Sequence, residues 1–176
     1  LITEWRCNGR EVLYFDLDRF ESTEKSVRGG IPLLFPICGD LPGNLLRLPQ
    51  GDFPIHQHGF VRDFPWKIKP LDHKKGVVLN FVDNAKTRES FPFKFLIDME
   101  LRLDKNSLLI KILVRNLGHE KMPFSFGLHP YFRITNLENI AIRGLSENCT
   151  NHLDMSIVST NSQLAKLSKG IDFLAS

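Results

Sequence analysis

Phe93-Lys94-Phe95-Leu96-Ile97-Asp98-Met99-Glu100-Leu101-Arg102-Leu103 carries an apolar side chain at every odd position, and Leu108, Ile110, Ile112 and Val114 repeat the alternation after Asp104-Lys105-Asn106. A period of two belongs to a strand, whose successive side chains point to opposite faces. The polar trio between the runs is turn chemistry, so the stretch predicts a tight antiparallel hairpin with one face buried. Its apolar stripe reads as core.

Upstream, Trp66 to Lys69 and Val77 to Phe81 read as two more strands joined by the charged turn Asp72-His73-Lys74-Lys75-Gly76, in which His73 is expected to face solvent. Asp40 to Pro54 holds three prolines and two glycines and reads as an irregular surface loop. Glu11 to Phe15 reads as a short strand, and Glu21 to Ser26 as a solvated loop. Pro32 and Pro36 exclude a helix interior between them. Downstream, Met122 to Phe132 is a strand-like run in which Pro130 holds His129 extended. Ile134 to Ile142 continues as strand or loop, and Ser162 to Lys169 reads as the start of a short helix. Many short strands with almost no helical periodicity predict an all-β sandwich or barrel-like assembly, organised as one domain over residues 1–176.

Composition narrows the function classes. At 176 residues, 42% hydrophobic and 24% charged, the chain is long enough for one core and is not of the disordered type. Fourteen phenylalanines against two tyrosines and two tryptophans favour strands. The net charge of +3 is spread along the chain, which suits a small anionic ligand and argues against nucleic acid, where a clustered basic face is expected. Cys7, Cys38 and Cys149 are widely spaced, so reduced thiols are expected rather than a disulfide framework or zinc site. Asn148-Cys149-Thr150 reads as an accidental glycosylation match. No run of about eighteen apolar residues and no signal-peptide pattern is visible, so a cytoplasmic protein with no membrane partner is expected.

The chemistry concentrates in Ile55-His56-Gln57-His58-Gly59-Phe60-Val61-Arg62-Asp63-Phe64-Pro65-Trp66. Histidine titrates near physiological pH and arginine forks onto anions, so such a cluster handles protons or oxyanions. Arg28-Gly29-Gly30 has two readings: a turn that lets a ligand approach the backbone, or a turn into a buried segment with Arg28 solvated. Serine-elbow, phosphate-loop and dinucleotide motifs are absent from the sequence. One reading of the histidines is a cupin-like metal site, with His56 and His58 on one face of a strand and Asp63 plus His129 or His152 completing the set. Cupin patterns place a glutamate where Asp63 stands.

Three segments taken in order, Arg28-Gly29-Gly30-Ile31-Pro32-Leu33-Leu34-Phe35-Pro36, His58-Gly59-Phe60-Val61-Arg62 with Trp66, and Leu128-His129-Pro130-Tyr131-Phe132, carry a stronger reading. The chain resembles, from about Val27 to Asp154, the galactose mutarotase-like superfamily, and within it the glucose-6-phosphate 1-epimerase branch of the aldose 1-epimerases. The resemblance implies a β-supersandwich, here incomplete at its C-terminus, that interconverts the α and β anomers of a hexose or its 6-phosphate without metal or organic cofactor. It implies His129 as the catalytic acid, His58 as a sugar-binding histidine, Arg28 and Arg62 on the phosphate, and Asp154 on sugar hydroxyls. His56 then becomes a supporting residue and Asp63 a salt-bridge partner. The partner expected is a small sugar or sugar phosphate. The family's base is a glutamate near the C-terminus, and no residue here matches it; Glu138 and Glu147 come too early. The complete gene product is therefore expected to be an epimerase and the chain as written to be inactive or nearly so. The rival reading is a sugar-binding module without the base, using flanking rings such as Phe60 and Trp66.

Overall fold

The structure, a computed structural model, describes residues 1–22, 27–71, 76–165 and 171–175. Its strands in chain order are β1 (Arg6–Cys7), β2 (Arg10–Glu11), β3 (Leu33–Leu34), β4 (Leu45–Leu48), β5 (Gly51–Pro54), β6 (Lys67–Pro70), β7 (Gly76–Val82), β8 (Phe95–Asp104), β9 (Ser107–Asn116), β10 (Gly127–Leu128), β11 (Ala141–Arg143), β12 (Asn148–Asn151), β13 (Ile157–Ser159), β14 (Gln163–Ala165) and β15 (Phe173–Ala175). Two short helices, α1 (Leu17–Glu21) and α2 (Ala85–Arg88), accompany them. The chain is all-β, as its patterning predicts. None of the described helices is long and apolar enough to cross a membrane.

The chain packs as two compact units, Leu1–Arg133 and Ile134–Ser176. The first is built on the antiparallel sheet β6-β7-β8-β9. The hairpin predicted from the alternating run is β8–β9, with Asp104 opposite Ser107 across a two-residue turn. Phe95, Ile97 and Met99 of β8 are buried, and Ile112 and Val114 of β9 lie opposite Met99 and Ile97. β6 and β7 bear out the two upstream strands; the turn between them, with His73, lies outside the described residues.

The core is aromatic: five of its nine buried members are Phe35, Phe81, Phe91, Phe93 and Phe95. Phe35 packs at ring-centroid distances of 5.8 Å from Phe91 and 5.1 Å from Phe95. Each buried ring contributes roughly 2–3 kcal/mol of transfer free energy. Beside the core, α2 is capped by Asn84, whose side chain accepts from Lys86 and Thr87 N–H while the Thr87 hydroxyl answers its backbone N–H. Asp83 accepts from Phe95 N–H and pairs with Arg88, tying α2 to β8.

Three expectations are corrected. Asp40 to Pro54 contains the hairpin β4–β5, closed by Pro49-Gln50, with Leu46 and Leu48 packed on the core. Pro42 opens a 3-10 turn before β4, Pro49 sits in the hairpin turn and Pro54 ends β5, places where a missing N–H removes no ladder bond. Glu11 to Phe15 is strand only at Glu11, with Leu13 and Phe15 making single bridges to Phe132 and Gly29. Ser162 to Lys169 does not begin a helix: Gln163–Ala165 is β14, paired with β11, because cross-strand pairing outweighs a weak local preference. Residues 166–169 of that stretch, and 23–26 of the expected solvated loop, lie outside the described residues. The second unit holds the sheets β11–β14 and β13-β12-β15.

Candidate active site

The segment from Gly29 to Phe35 is the seam on which the site is assembled. A Cβ at Gly29 would stand 2.5 Å from Phe15 Cα, and one at Gly30 2.2 Å from the Ile2 carbonyl oxygen. Backbone packing within the fold thus accounts for the glycine pair. Arg28, just before the pair, is exposed, and its carbonyl accepts from Asp16 N–H at 3.0 Å.

On one side of the seam β3 pairs with β10, placing Leu33 opposite Leu128. The ladder continues past the strand ends, with His129 N–H donating to Pro32 O at 3.0 Å and Tyr131 N–H to Gly30 O at 2.9 Å. His129 is exposed, its ring tilted against that of Tyr131 with centroids 4.8 Å apart. Elsewhere on the seam Phe35 bridges Gly59, and Phe60 N–H donates to Phe35 O at 3.0 Å. A Cβ on Gly59, whose φ is +71°, would lie 2.0 Å from that oxygen. Only glycine fits there.

His58 sits in a turn at φ 68°, the left-handed region that non-glycine residues seldom occupy. Its backbone N–H donates to Gly39 O at 2.7 Å, and Gly39 N–H returns a bond to His58 Nδ1 at 2.9 Å. A backbone N–H can only donate, so Nδ1 carries the lone pair and the ring proton is on Nε2. Burial lowers the His58 pKa from its ordinary 6.5, helped by Arg62 and His129 and opposed by Asp40. The His58 and His129 rings stand 6.3 Å apart between centroids.

Arg62 belongs to the 3-10 turn Val61–Asp63 and donates to Gln57 O at 3.1 Å. Its Nε lies 3.8 Å from the Asp63 carboxylate, an exposed pair of small energetic weight. A cavity of about 110 Å³ is lined by Leu1, Val27, Pro32, Arg62 and Asp63. The larger cavity of about 700 Å³ near Trp5, Leu101 and Leu108 contains none of the histidines. Trp66 and Phe60 serve the core: Trp66 Nε1 donates to Val61 O at 2.9 Å with its ring 5.3 Å from Phe81, and Phe60 packs 6.0 Å from Phe64.

His58, Arg62 and His129 thus come together, and Arg28 precedes the same seam. Asp154 belongs to the second unit, where its carboxylate accepts from the Ser156 hydroxyl at 2.6 Å and N–H at 3.0 Å. Those two bonds lower its pKa. The metal reading required His56 and His58 on one strand face; the structure instead has a turn there, with His58 Nδ1 occupied by Gly39. The sequence reading missed Gly39 and Ser125, whose contacts depend on loop closure rather than spacing.

An all-β chain that sets an imidazole of fixed tautomer beside an exposed imidazole and a guanidinium can donate hydrogen bonds to, and exchange protons with, the oxygens of a small polar molecule. Known proteins carry the assignment further. Residues 1–167 match the sequence model for aldose 1-epimerase. A candidate glucose-6-phosphate 1-epimerase from Salmonella typhimurium is 25% identical over 150 residues, covering 83% of this chain and 46% of its own length. The Slr1438 protein from Synechocystis sp. PCC 6803 superposes with a TM-score of 0.86 at 36% identity, over 92% of this chain and 57% of that one. A galactose mutarotase related enzyme from Lactobacillus acidophilus shares the fold, with a TM-score of 0.74 at 24% identity over 92% of this chain and 56% of its own. The chain belongs to the aldose 1-epimerase family. Its fold is the galactose mutarotase-like β-sandwich, and it spans about half the length of the curated relatives it matches.

Proposed function

We propose that the full-length protein is a cytoplasmic epimerase that interconverts the α and β anomers of a hexose 6-phosphate, with this chain supplying the acid and the substrate-holding groups. The observation that carries the reading is the approach of His58 and His129, rings 6.3 Å apart, with Arg62 beside His58. In the proposed cycle a carboxylate base takes the proton of the anomeric hydroxyl while protonated His129 gives its proton to the ring oxygen. The C1–O5 bond breaks, the C1–C2 bond rotates, and the O5 hydroxyl recloses on the other face of the aldehyde, its proton returning to His129 while the base gives its proton back to the former carbonyl oxygen. A positioned proton donor is worth about 10² to 10⁴ in rate. His58, neutral with its proton on Nε2, donates to a sugar oxygen without adding a second positive charge beside the acid.

Arg28 and Arg62 take the phosphate, where a guanidinium fork matches paired oxygens. Asp154 holds sugar hydroxyls in this assignment. The carboxylate base of this cycle is not assigned to a residue of this chain. The second reading is a sugar-binding module without turnover.

Anomer exchange followed by NMR with the full-length product tests the proposal. Acceleration is expected for glucose 6-phosphate, and Arg28→Ala or Arg62→Ala should raise its KM on the order of tenfold while leaving unphosphorylated glucose unchanged. Equal effects on both sugars would remove the phosphate assignment. Binding without acceleration would favour the module.

A further inference from the structure

Between the two histidine-bearing segments lies a loop that touches both. Pro36 to Gly39 follows the seam, and Ser125 holds it at two points: Ser125 N–H donates to Pro36 O at 2.9 Å, and its hydroxyl accepts from Cys38 N–H at 2.8 Å. The next amide along, Gly39 N–H, is the donor that occupies His58 Nδ1. The Cys38 thiol rests on Gly127, where an added Cβ would stand 2.9 Å from its sulfur. Gly127 is two residues before His129, and Ser125 four, on the run that carries that imidazole.

We infer that Ser125 is a positioning residue for the site: by clipping the Pro36–Gly39 loop to the His129 run it aims the Gly39 amide at His58 Nδ1, and so holds His58 as the Nε2–H tautomer at a fixed distance from His129. Several parts of the geometry require this. An imidazole with no bond at Nδ1 exchanges between tautomers and rotates freely about its side-chain torsions. His58 is denied that freedom by a single backbone donor, and the peptide that carries the donor is tied on its preceding amide by the Ser125 hydroxyl. Because Ser125 lies on the same run as His129, the clip sets the two imidazoles relative to one another as well as fixing one of them. Wrong-tautomer His58 would present a lone pair rather than a proton to a substrate oxygen, turning attraction into repulsion. The charged and titratable groups that face His58 are Arg62 on the 3-10 turn, His129 after β10 and Asp40 next to the clipped loop. All three side chains are kept in a Ser125 variant, and the ring ¹⁵N pattern of His58, which reads which nitrogen bears the proton, reports the clip.

The consequence for turnover rests on the epimerase reading; the tautomer does not. The test is long-range ¹H–¹⁵N NMR of the histidine rings in the full-length protein, run beside anomer exchange. In the unaltered protein His58 should show an unprotonated Nδ1 and a protonated Nε2. Ser125→Ala should collapse that pattern towards a tautomer average, raise the His58 titration midpoint, and lower kcat/KM on the order of tenfold, chiefly through a raised KM. Ser125→Thr, which keeps the hydroxyl, should restore all three. A His58 protonated at Nδ1 in the unaltered protein overturns the inference without any variant, as does a Ser125→Ala protein with the original ring pattern. An unaltered protein that shows the expected tautomer but never accelerates anomer exchange refutes the function proposed above and leaves the positioning role standing.

Discussion

His58 combines a left-handed backbone, a reciprocal pair of bonds with Gly39 and a lowered pKa, and each feature has a measurable consequence. Protonating Nδ1 would break the Gly39 bond and place a cation beside Arg62 and His129, so the folded protein favours the neutral ring. The unfolded chain, with an ordinary value of 6.5, takes up a proton that the folded chain refuses in the interval below that pH. The contribution of His58 to stability is therefore complete above pH 6.5 and is lost as the pH falls from there through the folded value. NMR titration should find the His58 midpoint below 6.5, and a midpoint at or above it contradicts the assignment. His58→Asn should remove its part of the pH dependence of unfolding, because asparagine accepts near the position of Nδ1 and tolerates the left-handed region but does not titrate.

At the level of elements, the seam between Phe35 and Gly59 joins the site to the core. Phe35 is fully buried among rings while its carbonyl receives Phe60, so the loop that carries His58 is hung directly on the hydrophobic core. Gly59→Ala should cost at least about 2 kcal/mol, from a strained φ and a Cβ driven into the Phe35 carbonyl. Urea unfolding at unchanged m-value reads this as a lower midpoint, and an unchanged midpoint would mean the seam does not hold the loop. The elements also explain what could be read in advance. β8–β9 was legible because a buried face forces alternation over ten residues on each strand. β4–β5 was not, because its prolines and glycines are the residues of loops and only its packing partners reveal the hairpin. β14, at three residues, is decided by its pairing with β11 and leaves almost no local signal. The same division holds in the site: His58, Arg62 and His129 stand in recognisable segments, whereas Gly39 and Ser125 matter through contacts across nineteen and eighty-seven positions.

Across the whole molecule, the family assignment and the site geometry support the anomer exchange proposed above. A fold of the galactose mutarotase type frames the seam, and the seam brings a hydrogen-bonding histidine, an arginine and a second histidine to one place. The chain covers 46% of the length of its Salmonella typhimurium relative, so activity is a property to be measured on the full-length product. In the proposed cycle His129 is the acid of anomer exchange. The direct measurement is exchange spectroscopy between the α and β anomers of glucose 6-phosphate at increasing concentrations of full-length protein and of its His129→Ala variant. The rate should rise in proportion to the unaltered protein and stay at the buffer value with the variant, while both still bind the sugar. Exchange that His129→Ala sustains undiminished, or an unaltered protein that binds the sugar and leaves exchange at the buffer rate, would contradict it.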